Sequence, residues 1–217
     1  MYITLFFTLG FPLFIIYYVI KSDKFQEPIK LILKTFFLGV LLCIPAGELN
    51  SVFITTDDLV FLAGFTEESL KFIALYFYIR PKKSFNEPMD AVVYGTIISL
   101  GFAILENITY VYGSNSGAEP LSIAILRSFT AIPMHATCGI LMGYYFGMHA
   151  FRGGNIYLIK SLIVPMIFHS TYNFLAGNSL VLMFSCLILM IIFAKNKHIE
   201  IAGMQELKQS EEEKKFS

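Results

Sequence analysis

The sequence predicts an all-α fold, a polytopic transmembrane helix bundle of about seven spans with the N-terminus outside and the C-terminus cytoplasmic. Three observations predict it. Of the 217 residues 56% are hydrophobic and only 15% charged, whereas a soluble domain usually carries about 25% charged residues. The apolar residues also come in long blocks, close to the roughly 20 residues that carry a helix across a hydrocarbon core. Finally, the basic residues fall in alternate connecting segments, as they do when a chain crosses a membrane repeatedly.

The blocks are 3–20, 31–47, 58–79, 91–112, 121–148, 156–176 and 178–194. The first is read as a span rather than a cleaved leader. It has no basic n-region, its apolar run is too long, and no small-residue cleavage site follows. Segments 21–34, 80–90, 149–160 and 195–217 hold 14 of the 16 lysines and arginines, and segments 48–57, 113–120 and 177–178 hold none. That alternation sets the orientation. Tyr17-Tyr18, Tyr76/Tyr78, Tyr110/Tyr112 and Tyr144-Tyr145 fall near predicted helix ends, where aromatic belts lie. Residues 1–194 form one transmembrane domain. Residues 195–217, ending in Glu211-Glu212-Glu213-Lys214-Lys215, read as a charged, solvated and mobile cytoplasmic tail.

The net charge of zero offers no basic surface for nucleic acid. Cys43, Cys138 and Cys186 lie inside apolar blocks, and their odd number and wide spacing argue for packing rather than disulfides or a zinc ribbon. Pro45, Pro133 and Pro165 also fall inside apolar blocks, the last two shortly before a histidine.

Away from the block ends, five charged residues and two histidines lie within the apolar blocks: Glu67, Glu68, Lys71, Glu106, Arg127, His135 and His169. Each charge at a helix centre costs about 2.5–3.5 kcal/mol on insertion scales, so they must pair, face the interior or line water. At 1.5 Å per residue, Glu67, Glu106 and His169 lie roughly 9–13 Å from the outer face. His135 joins that layer if the fifth helix enters the membrane near Arg127, with Leu121–Leu126 at the surface. Lys71 is i+3 from Glu68 and i+4 from Glu67, spacings at which helical side chains meet. One glutamate can then face a cavity while its neighbour pairs with Lys71 or Arg127. Phe102 and Glu106 share a face, as do His169 and Asn173. A buried carboxylate that activates water, beside donors that stabilise an oxyanion, fits hydrolysis. His149 and His198 read as bystanders.

These motifs, Glu67-Glu68-x-x-Lys71, Phe102-x-x-x-Glu106-Asn107, an isolated His135 and His169-x-x-x-Asn173, closely resemble the PrsW family of bacterial membrane proteases. That family is related to the CaaX prenyl-protease and bacteriocin-processing superfamily. Glu27-Pro28 and Asp90-Ala-Val-Val-Tyr94-Gly95 are similar to it as well. The resemblance implies a multi-pass protease of the bacterial cell membrane that makes the first, extracytoplasmic-side cut in a single-span anti-sigma factor. That cut leads to sigma-factor activation under envelope stress. It implies Glu67 as base, Glu106 in the second-motif position and His169 with Asn173 as oxyanion donors. Glu68 and His135 complete the expected catalytic set, supported by Lys71, Phe102, Asn107 and Arg127. Glu106 stands where the CaaX enzymes carry histidine, which leaves His135 as a substitute water-activating partner. No HExxH occurs, and metal-independent hydrolysis is the expected chemistry. The alternative is a Zn2+ site of Glu68, Glu106, His135 and His169. Two other readings compete: an ion- or proton-coupled transporter using the same cluster, and a non-catalytic immunity or scaffold protein of the same fold.

Overall fold

A computed structural model describes residues 2–113 and 118–216, with side chains through residue 210. Among the described residues the regular structure is helical, without strands. Helix α1 (Tyr2–Ser22) contains one π turn, and α2 spans Ile29–Phe53. Helix α3 (Ala63–Ala74) is flanked by a 3-10 turn, Asp57–Leu62, and a π turn, Leu75–Ile79. Then come α4 (Pro88–Gly113), α5 (Pro120–Phe129), α6 (Ala131–Arg152), α7 (Asn155–Asn178) and α8 (Leu180–Phe216).

Among the described residues, five segments are long and apolar enough to cross a membrane: Tyr2–Ser22, Ile29–Phe53, Pro88–Gly113, Pro120–Arg152 and Leu180–Ser210. The two expected spans that do not meet this measure are those with Glu67-Glu68-Lys71 and His169-Asn173. Buried polar groups and, for the first, an interrupted helix lower their apolar signal. Seven spans and their orientation therefore stand as a proposal, while the polytopic helical membrane fold is established. Large apolar side chains are exposed along the outer helices, including Phe37 and Leu41 on α2, Ile167 on α7 and Leu189 on α8. In water such a surface would be an aggregation liability; in a bilayer it is the lipid-facing wall.

Helix α4 is the axis of the bundle, buried continuously from Met89 to Ile104 and packed against α1, α2, α6 and α8. Close approach to α6 depends on facing glycines, as in membrane helix pairs generally. A Cβ added at Gly139 would lie 2.8 Å from the Gly95 carbonyl oxygen. Gly64 does the same for α3 against α7, since its Cβ would sit 2.6 Å from the Ser170 nitrogen. These two contacts bring the glutamates and histidines within reach of one another.

The fifth apolar block is two helices, divided at Thr130 (φ −127°, ψ −75°). The restart places Pro133 in the first turn of α6, where a missing N–H costs little. Pro45 and Pro165 lie inside α2 and α7. The three cysteines are free thiols. The expectation of a solvated segment from 195 onward differs from the structure. Helix α8 runs to Phe216, Ile201 is fully buried, and Gln205 is 3% exposed. Gln205 Nε2 donates to Asp23 Oδ1 at 2.8 Å and also to Glu87. The apolar periodicity of this stretch is weak, so its docking rests on polar partners far away in sequence.

Candidate active site

A cavity of about 540 Å³ opens among helices α2 to α7. Its wall carries Glu67, Phe102, Glu106, Arg127, His135, His169 and Asn173. Glu68, Lys71 and Asn107 lie behind that wall, fully buried or nearly so.

The adjacent glutamates of α3 part company because successive helical side chains point about 100° apart. Glu68 turns inward, where its Oε1 accepts from Lys71 Nζ and His169 Nδ1, both at 2.8 Å. Glu67 turns to the cavity. Its Oε1 accepts from Asn50 Nδ2 at 3.2 Å. Its Oε2 has no hydrogen-bond partner, and Lys71 Nζ and His169 Nε2 each lie 3.8 Å away. Lys71 also sits 4.2 Å from the centre of the Phe102 ring, a cation–π contact that strengthens when water is excluded.

The histidine tautomers follow from these partners. An ammonium has no acceptor and a carboxylate no donor. Lys71 Nζ, 3.1 Å from His135 Nδ1, therefore donates to that nitrogen, and His135 Nε2–H donates to Glu106 Oε2 at 2.9 Å. His169 spends its Nδ1–H on Glu68, so Nε2 carries the lone pair of the neutral ring and faces Glu67. The two imidazoles meet edge to face, 5.0 Å between centroids.

Glu106 is tied on its other side to Arg127 Nη2 at 2.7 Å. Arg127 Nε donates to Asn107 Oδ1, also at 2.7 Å, while Asn107 Nδ2 donates to the Thr8 carbonyl at 3.1 Å. Asn173 lines the cavity one turn from His169, and one of its amide hydrogens goes to the Val60 carbonyl at 3.4 Å. The other remains for a ligand.

Glu67, His135 and His169 each offer one ligand atom, and these lie within 4.8 Å of one another. This trio has Glu67 where the sequence-based zinc set has Glu68, and it leaves out Glu106. Glu68 is taken up by Lys71 and His169, and Glu106 by Arg127 and His135. A neutral-histidine and carboxylate donor set suits a zinc-type ion. The Glu68–His169 bond is the carboxylate support that metal-ligating histidines usually have. His135 is engaged at both nitrogens and would have to release one bond to become a ligand.

Asn50 and Thr66 were missed by the sequence reading. Asn50 lay in the expected loop 48–57, but α2 continues to Phe53. The signal was the spacing Cys43, Gly47, Asn50, Ile54, one helical face that lines the cavity. Thr66 donates to Asn50 Oδ1, which turns the Asn50 amide toward Glu67.

A profile of the PrsW family intramembrane metalloproteases matches residues 27–195. The chain belongs to the PrsW family. It is 36% identical over 169 residues to Protease PrsW of Bacillus subtilis (strain 168), covering 73% of this chain and 75% of that protein. Protease PrsW of Geobacillus kaustophilus (strain HTA426) is 33% identical over 169 residues, covering 73% and 72%. Protease PrsW of Clostridioides difficile (strain 630) is 28% identical over 174 residues, covering 73% of each. No solved structure matches. As a PrsW protein the chain is a membrane peptidase and a multi-pass protein of the bacterial membrane. That leaves the transporter and scaffold alternatives without support.

Proposed function

We propose that this PrsW protein makes the first, extracytoplasmic-side cut in a single-span membrane anti-sigma factor, leading to sigma-factor activation in envelope stress. The observation that carries the hydrolytic reading is the convergence of four motifs from four helices on one cavity. There a buried wall carboxylate oxygen, Glu67 Oε2, has no hydrogen-bond partner. The basic-residue alternation supports an outer position for this end of the bundle.

In the metal-independent version, Glu67 is the group that faces the attacking water and takes up its proton. Asn50 fixes its carboxylate plane through Oε1. Glu68, held by Lys71, orients the His169 ring. Glu106, held by Arg127, orients His135. The free Asn173 amide hydrogen is the donor aimed at the developing oxyanion, and His169 Nε2 joins it once that nitrogen has received the proton Glu67 took from the water.

The family description and the Glu67–His135–His169 trio together favour the zinc alternative over the metal-independent one. Those three residues would hold the ion, with Glu67 as ligand and Glu106 as the remaining wall carboxylate. When bound, the ion would lower the pKa of a water and polarise the scissile carbonyl.

The test is co-expression with candidate single-span anti-sigma factors, comparing wild type with E67Q, E106Q, H135A and H169A at matched protein levels. Loss of the cut in E67Q and H169A supports the site; cutting by all four variants at the wild-type rate would falsify it. Metal analysis of purified active protein separates the two chemistries, since full activity without bound metal sinks the zinc version.

A further inference from the structure

The Glu27-Pro28 and Asp90–Gly95 motifs have no part in the cavity. Asp90 and Glu106 are 16 residues apart on α4, roughly 24 Å at 1.5 Å per residue, so these motifs lie at the opposite end of the bundle. There they meet. Asp23, Glu27 and Asp90 each present one carboxylate oxygen, and these lie within 4.8 Å of one another. Asp23 is 3%, Glu27 9% and Asp90 0% exposed.

The donors that reach these acids are neutral. Tyr94 Oη, itself fully buried, donates to Glu27 Oε2. The Phe25 N–H and Gln205 Nε2 donate to Asp23 Oδ1. Asp90 Oδ2 accepts the N–H groups of Asn86 and Glu87 at 2.6 and 2.8 Å. Two further oxygens, Asp23 Oδ2 and Asp90 Oδ1, are buried with no partner. Two ammonium groups in this corner are engaged with other acids: Lys208 bonds Glu87 at 3.0 Å, and Lys24 lies 3.5 Å from Glu206.

Buried carboxylates of one sign are costly unless a cation or protons offset them. Here three acids converge, two with an oxygen left over, and the donor set is all oxygen. Oxygen-only sites select hard cations such as Mg2+ and Ca2+. We propose that Asp23, Glu27 and Asp90 form a divalent-cation site of the Mg2+/Ca2+ class, separate from the proteolytic cavity. The bound ion ties the α1–α2 connection to the start of α4, with α8 closing over it through Gln205. Tyr94 is the positioning residue that holds the Glu27 carboxylate toward the ion.

Calorimetric titration of the full chain in detergent with Mg2+ and, separately, Ca2+ tests this, alongside melting curves at each concentration. The expected result is one saturable site per chain and a melting temperature that rises with the ion. E27Q and D90N lose both effects, and E67Q, at the other end, keeps them. Y94F removes one hydroxyl without altering charge and weakens binding about tenfold, the low end for a group supporting a metal ligand. If D90N does not fold, E27Q and Y94F, checked by circular dichroism, carry the decision. Absence of a saturable site at millimolar Mg2+ and Ca2+ overturns the proposal, because the acids are then held by shared protons. A site that survives in both E27Q and Y94F overturns it as well.

Discussion

Two groups of buried acids lie at opposite ends of α4, and the protein treats them differently. Around the cavity, each carboxylate has a cationic or imidazole partner: Glu68 has Lys71 and His169, and Glu106 has Arg127 and His135. Glu67 keeps one oxygen without a hydrogen bond, 3.8 Å from Lys71 and from His169. At the other end, Asp23, Glu27 and Asp90 receive neutral donors. The first arrangement fixes charge where chemistry needs it and spares one group to react. At the second end the described donors to the three acids are neutral, the arrangement expected of the proposed ion site.

The largest expected effect comes from breaking the first end at its reactive group. E67Q or H169A lowers the cleavage rate about 10²–10⁴-fold, the range for a positioned acid–base group, read as substrate processed per unit of membrane protein. Next comes Lys71→Met, which strands Glu68 in the interior. It lowers stability by about 3–5 kcal/mol, and the double variant K71M/E68Q recovers much of the loss in a melting assay. In the other cluster the sign reverses. D23N, measured without divalent ions, raises the melting temperature, because it removes a buried like charge instead of a partner. A fall of the kind seen in K71M would erase the distinction between the two ends.

A smaller effect tests the support of the free carboxylate. Asn50→Ala lowers kcat about tenfold with little change in KM, by analogy with groups that orient ligands, and it shifts the pH–rate profile. A purely structural Asn50 would leave that profile in place. The smallest effect is the pH dependence of the far end. Burial, with Glu87 beside Asp23 and Asp23 beside Glu27, pushes both carboxyls above their ordinary range. The native state then binds more protons than the unfolded one, so stability falls as pH rises through that window. Asp90, Tyr94, Ser84 and Gln205 also face the pair, and Lys208 is bonded to Glu87. Saturating Mg2+ is expected to flatten the slope, and D23N to reduce it without the ion.

Much of the cavity was legible because its relations are local. Glu67, Glu68 and Lys71 lie within one turn, as do His169 and Asn173, and helical geometry alone puts such residues side by side. Asn50 was hidden because a polar stretch after a block of apolar residues reads as loop, whereas α2 continues for two more turns. The far end was legible only as two unexplained motifs. Nothing local joins Glu27 to Tyr94, 67 residues apart, or Gln205 to Asp23, 182 residues apart.

By itself the sequence determined that this chain lives in a bilayer, that its elements are helices, and which polar residues had to be buried. Those properties follow from composition, block length and the cost of charge in hydrocarbon. Tertiary structure decided which glutamate is spared, which histidine nitrogen is free, and that α8 docks instead of trailing into solvent. The reason is physical. A helix fixes the angles between its own side chains but not its rotation about its axis, and here that rotation is set by close glycine contacts with neighbouring helices.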